Sequence, residues 1–148
     1  MPFVPANFRA RLSDLVVHEL DPAVGYSRRD INIDTEDTVE IGTVVFREIT
    51  SDLTAPYTPV DSADALVDTN EFAVVYGDEF SFNPSFTPRD IAEGQYNAVG
   101  YVGTSGGLQL KEYYIKERIV EDAGLTEANF ETLKGLLEAQ GIQILRTV

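Results

Sequence analysis

Asp30, Asn32, Asp34 and Glu36 stand at every second position, and oxygen-bearing side chains at that spacing open a calcium loop. Such a loop also needs a glycine at its sixth position for the sharp turn and a bidentate glutamate at its twelfth. Thr35 and Ile41 occupy those two places, and the metal reading fails. The interleaved Ile31 and Ile33 give the simpler account, in which the acids line the solvent face of a strand. His18 is the one histidine in a chain without cysteine, so it has no second imidazole or thiolate with which to hold a metal. No nucleophile-elbow glycines surround it, which points to a structural histidine and not a catalytic base.

Other chemistry is equally thin. A chain with 25 acids offers carboxylate pairs for glycoside hydrolysis almost anywhere, and that abundance removes their specificity. The glycines of Gly103 to Gly107 precede neither a lysine-serine/threonine pair nor a helix, so they suit a hairpin loop better than a phosphate cradle. Tyr57, Tyr96, Tyr101, Tyr113 and Tyr114 could line a binding groove or an interface, or be ordinary strand tyrosines at a core edge. Tyr113 and Tyr114 are adjacent, and on a strand one would face inward and leave the other for a partner. The expectation is a protein that is not an enzyme and carries no metal or cofactor.

The elements that would position these groups are mostly strands. Ser27 to Ile49 reads as two paired strands, Ile31/Ile33 and Val39/Ile41 with Val45 and Ile49, around an acidic turn at Asp34 to Asp37. Gly42 marks a bulge or a close backbone approach at the start of the second strand. Leu12 to Leu20 fits a short helix capped by Ser13 or an edge strand. Residues 50–70 form a loop whose Ala63 to Leu66 could make one helical turn, and 81–95 form a second loop. Phe72 to Phe82 is a strand pair or a bent strand around Gly77-Asp78; Tyr96 to Val102 and Leu108 to Ile115 are two strands joined by the glycine loop. Then the period changes. Thr126 caps a helix with Glu127 in its first turn, Phe130, Leu133, Leu136 and Leu137 on its apolar face, and Gly141 at its end. Leu125 and Phe130 have the spacing of a hydrophobic staple, and Ile142 and Ile144 alternate as a closing strand.

At 148 residues with 43% hydrophobic content, the chain has the size of one globular domain with a real core. No apolar run approaches the length of a membrane span, and the N-terminus has no charged region leading into a signal core, so neither secretion nor a membrane partner is expected. A net charge of −14 argues against nucleic acid. The charge is uneven: the first twelve residues hold Arg9 and Arg11 and no acid. Pro2 and Pro5 favour an extended backbone there, so residues 1–20 are expected to form an N-terminal arm, disordered in isolation, ahead of one β-rich domain over 21–148. Phe3, Val4 and Phe8 are costly to leave in water, at about 1.5–3 kcal/mol each when buried, so the arm should contact something.

Ser27-Arg28 leading into Ile31-Asn32-Ile33, an acidic turn, and Glu40-Ile41-Gly42-Thr43-Val44-Val45 resembles the opening of the lambda-type head decoration (capsid cement) proteins of tailed phages. The end is similar too, with a helix through Leu133, Leu136 and Leu137 that closes on Gly141-Ile142. The likeness covers about a third of the chain, and the loops at 50–70 and 81–95 are longer than compact members carry. The resemblance implies a mainly β protein with a small α component: a compact β-barrel or β-tulip with a C-terminal helix and short strand behind an extended arm. It implies a homotrimer, assembled in the host cytoplasm, on the outer surface of the virion at local threefold positions, tying major capsid protein subunits together. Phe3, Val4, Phe8, Arg9 and Arg11 would bind the capsid, with Ser27 and Arg28 at the hinge. The alternatives are a small β-rich ligand- or carbohydrate-binding module using the tyrosines and, third, an acid-dependent hydrolase.

Overall fold

The computed structural model describes residues 15–19, 28–35, 42–52, 54–78, 95–101 and 108–146. Eight strands are present among them: β1 (Val16–Glu19), β2 (Arg28–Asp34), β3 (Val44–Glu48), β4 (Thr58–Pro59), β5 (Asn70–Asp78), β6 (Gln95–Tyr101), β7 (Leu108–Lys111) and β8 (Ile142–Leu145). They fall into a five-stranded sheet, β2-β6-β5-β3-β4, and a three-stranded sheet, β1-β7-β8. Helix α1 (Glu112–Glu117) runs on into a π-helical segment, Arg118–Asp122, and α2 (Glu127–Ala139) precedes β8. The architecture is α+β with a helix and short strand at its end, as expected, but two small sheets take the place of a closed barrel. The edges of the larger sheet do meet at one point. Tyr57 donates its N–H to Asn32 O at 2.8 Å and accepts from Asp34 N–H at 2.8 Å, a single parallel bridge from the segment before β4 to β2.

Alternation on β3 and β5 explains why that sheet holds two cores. Val44, Phe72 and Val74 face the main core, shared with Leu110, Ile142, Ile144 and the buried face of α2. Val45, Ala73 and Val75 point the other way, into a smaller core with Ile31, Ile33 and Tyr57. A strand buried on both faces reads as a continuous apolar run, and Phe72 to Val75 is one.

Among the described residues the expected hairpin over 27–49 is not formed; Val39 and Ile41 lie outside them. β2 pairs antiparallel with β6, from Arg28 opposite Tyr101 to Asp34 opposite Gln95, whereas β3 pairs with β5 and β4. Two strands stand between the members of the supposed pair. Alternation fixes which face a strand buries, and both segments do share the smaller core; it carries no information about the neighbour on either side. The expected pairing of Tyr96–Val102 with Leu108–Ile115 also fails, because β6 and β7 lie in different sheets. β7 stops at Lys111 and α1 begins at Glu112. Tyr114, Ile115 and Ile119 all pack on the main core, which suits a helical backbone, since a strand would send adjacent Tyr114 and Ile115 to opposite faces.

Other expectations hold. Ala63–Ala65 is a 3-10 turn capped by Ser62, and β5 carries an irregularity in pairing between Val75 and Gly77. On α2 the Thr126 hydroxyl accepts from Asn129 N–H at 3.1 Å, and Asn129 Oδ1 accepts from Thr126 N–H at 3.1 Å, a closed capping box. Phe130, Leu133 and Leu137 are buried and Leu125 packs against the same core. Gly141 ends the helix with φ +88°, and Gln140 Oε1 accepts from Phe72 N–H at 3.0 Å, tying the helix end to β5. β8 then runs parallel to β7 with Ile142 and Ile144 inward.

Candidate functional site

Phe3, Val4, Phe8, Arg9, Arg11 and Ser27 lie outside the described residues, so the expected capsid-binding arm and most of its hinge do too. Arg28 is the first residue of β2. The described body starts at Leu15, which is fully buried, and continues into β1 on the edge of the smaller sheet. Residues 15–19, placed in the arm by the sequence, are thus part of the folded body. Gly42, with φ +91°, passes close by: a Cβ there would lie 3.6 Å from Tyr114 Cβ and 3.9 Å from Leu15 Cδ1. The chain therefore joins the body beside Tyr114.

Next to that point is an open groove of about 620 Å³. Its floor and walls come from α1, the π-helical segment, the first residue of α2 and Arg146 beyond β8. Tyr113 is 63% exposed, while Tyr114 packs on the main core, the two rings meeting edge to face at 5.1 Å. One tyrosine inward and one outward is the arrangement expected, reached on a helix instead of a strand. Lys116 Nζ lies 3.6 Å from Glu127, 3.9 Å from Glu112 and 5.7 Å from the centre of the Phe130 ring. Glu117 and Glu121 also line the groove and form no ion pair among the described residues. Among the described residues, four carboxylates against two cations, Lys116 and Arg146, make the groove lining acidic. What its chemistry suits is a basic segment with an apolar or aromatic side chain to set against Tyr113 and Val120.

The long loop after β3 holds a second cluster. Arg47 stands directly opposite Glu71 across β3 and β5, ion-paired through Nε to Oε1. Its Nη1 donates to Ala55 O at 2.8 Å and to Asp52 O at 3.4 Å, and its guanidinium lies 4.4 Å from the centre of the Tyr57 ring. Burial, then the Glu71 carboxylate, push the Tyr57 hydroxyl above its ordinary value, opposed by Arg47 and by a hydrogen bond from Arg29. Asp52 turns the loop back on itself. Its Oδ1 accepts from Thr54 N–H at 3.0 Å and Thr54 Oγ1 at 2.6 Å, which hold its carboxyl below the usual range. Tyr57 is therefore a core residue of a fastened loop and not a groove tyrosine, because its ring is needed to close the smaller core.

The remaining sequence candidates are placed as follows. Asp34 is exposed and Asn32 half-exposed between buried Ile31 and Ile33, the strand face expected. Among the described residues no group of His, Asp or Glu is arranged to hold a metal. Tyr96 and Tyr101 lie on β6 opposite Ile33 and Arg28, and His18 lies on β1. Sequence reasoning missed the groove because Tyr-Tyr-Ile reads as strand; the helical signal was Glu112 to Lys116 and Ile115 to Ile119 at four-residue spacing. No family model, no curated protein and no solved structure matches the chain.

Proposed function

We propose that this protein works by binding and assembly, as a capsid decoration protein of the lambda type. It attaches as a homotrimer at local threefold positions on the outside of an expanded phage head and bridges major capsid protein subunits. The curled five-stranded sheet, with its edges meeting at Ile33 and Tyr57, serves as the barrel- or tulip-like body of that reading. The observation that carries it is the junction at Leu15: an apolar, basic segment, free of acids over residues 1–12, leads through Ser13 and Asp14 into a buried anchor and an edge strand of an otherwise acidic body. An extended segment of this kind can add to an exposed strand edge of a coat subunit, its arginines meeting carboxylates. Three such arms on one trimer act together, so avidity exceeds the affinity of a single arm by about 10²–10⁴. Binding confined to the expanded lattice stabilises it by mass action.

Deleting residues 1–12 is expected to abolish sedimentation with expanded heads while the trimer stays folded; unchanged attachment would defeat the role given to Phe3, Val4, Phe8, Arg9 and Arg11. The exposed Tyr113 in an open groove favours one alternative, a ligand- or carbohydrate-binding module. A monomer by size-exclusion chromatography with light scattering would support that alternative over the trimeric one.

A further inference from the structure

We propose that the groove beside Tyr113 is the docking site of the chain's own N-terminal segment, residues 1–12, which occupies it whenever that segment is not engaged by an external partner. Proximity comes first. Leu15 is buried where Gly42 meets Tyr114, and the Tyr114 ring contacts that of Tyr113, so the chain leaves the body at the rim of the groove. Arg11 is four residues and Arg9 six residues from Leu15, within about 13 Å and 20 Å along an extended backbone. Glu117 and Glu121 follow Tyr114 by three and seven residues, about 4.5 Å and 10 Å along a helix axis, so both lengths are of the order needed.

Charge and shape agree with that occupant. The segment carries two arginines and no acid, and the groove carries four glutamates against two cations, with Glu117 and Glu121 lacking an ion pair among the described residues. Tyr113, 63% exposed, gives an aromatic ring to the groove, and a phenylalanine ring or a guanidinium stacks well on the face of such a ring. Phe8 adjoins Arg9, so one turn of extended chain offers both kinds of contact. Tethering supplies the rest: a short linker holds the segment at about millimolar effective concentration, so a contact too weak to matter between separate molecules still fills the groove. An external surface that takes up the segment must then displace it from the groove, and the groove sets a threshold that discriminates against weak, unspecific partners. The docking itself does not depend on that partner being a capsid.

The chain contains no tryptophan, so Tyr113→Trp places a single reporter in the groove. In the full chain the indole should be about twofold less accessible to acrylamide than in the same variant lacking residues 1–12, because an aromatic partner covers it. Arg9→Glu with Arg11→Glu in the full chain should give the accessible value without shortening the protein, and so should 0.5 M salt. A synthetic peptide of residues 1–12 should restore protection to the truncated protein saturably. Backbone hydrogen exchange over 112–121 in the unsubstituted protein should change in the same sense. Equal accessibility with and without the segment overturns the proposal. So does protection that rises with protein concentration, since that would give the groove to a second copy. None of these readings uses a capsid, so they stand or fall apart from the decoration role.

Discussion

Arg47 and Lys116 are both cations set between glutamates and an aromatic ring, yet they sit at opposite ends of the range of what a charge does in a folded chain. Arg47 is buried to 6% exposure, and its planar fork reaches Glu71, two loop carbonyls and the face of Tyr57 at once. Lys116 keeps 35% of its side chain in water and has longer contacts, at 3.6 Å and 3.9 Å, to Glu127 and Glu112. The first arrangement fastens the loop over 50–57 to the sheet. The second leaves charge available at a surface. Desolvation makes the difference: a buried ion must have every partner in place, while an exposed one contributes little to stability and can exchange partners.

Arg47→Met tests the buried side most severely. It removes the partner of Glu71, frees two loop carbonyls and uncovers Tyr57, so unfolding in urea should become easier by about 3–5 kcal/mol. Adding Glu71→Met should recover part of that loss, because a buried pair replaced by apolar side chains no longer strands a charge. A single-variant loss below about 1 kcal/mol would make Arg47 no different in kind from Lys116.

Thr126→Ala acts at the boundary between the two regions, since α2 both packs the main core and brings Glu127 to the groove. Opening the capping box with Asn129 should cost about 1 kcal/mol by urea melting. Circular dichroism should show the helix retained, because Phe130, Leu133 and Leu137 still hold it from the core.

These two sites also mark how far the sequence could be read. α2 was legible down to its cap, its buried face and its terminal glycine, because a helix is written in contacts three and four residues apart. The Arg47 cluster was not. Its partners lie 24 residues away at Glu71 and five to ten residues away in a loop without period, and nothing in the order of residues joins them. The same limit broke the hairpin over 27–49. Ile31, Ile33, Val44 and Val45 were correctly strand residues, but β6, from 95–101, supplies the neighbour of β2. α1 was missed for the opposite reason: Tyr113, Tyr114 and Ile115 favour strands locally, and the demand that adjacent Tyr114 and Ile115 pack on one core with Ile119 overrules them. The candidate groove depends on α1, so it was invisible until that override was seen.

Tyr57 gives the buried cluster a signature in pH. Its hydroxyl has a folded pKa raised above its ordinary 10.0, so the folded state disfavours the phenolate. The stability this confers is complete below pH 10 and is lost as pH rises through the folded value. Tyr57→Phe should cost about 0.5–1.5 kcal/mol at neutral pH, for the lost bond from Arg29. The gap between variant and parent should then shrink as pH climbs past 10, since the variant has no phenol to ionise at that position. The six other tyrosines are common to both proteins and cancel in the difference. A gap that is constant with pH would mean that Tyr57 is not held neutral by its surroundings.

Glu117→Gln with Glu121→Gln should have the smallest effect on folding, within about 0.5 kcal/mol, because neither carboxylate has an ion pair among the described residues to lose. Neutralising two of the four acids of the groove removes mutual repulsion as well as any attraction for Arg9 and Arg11, so stability could shift slightly in either direction. Accessibility at position 113 should respond much more clearly than the urea midpoint. In the full chain carrying Tyr113→Trp, the double change should raise acrylamide quenching toward the level of the protein without residues 1–12, and should change nothing in the truncated protein. That combination, a silent melting curve and an altered surface, is what separates a charge kept for binding from one kept for folding. If the double change instead destabilised the body as strongly as Arg47→Met, Glu117 and Glu121 would belong to the folded framework, and the groove would lose its claim to be a surface held in readiness.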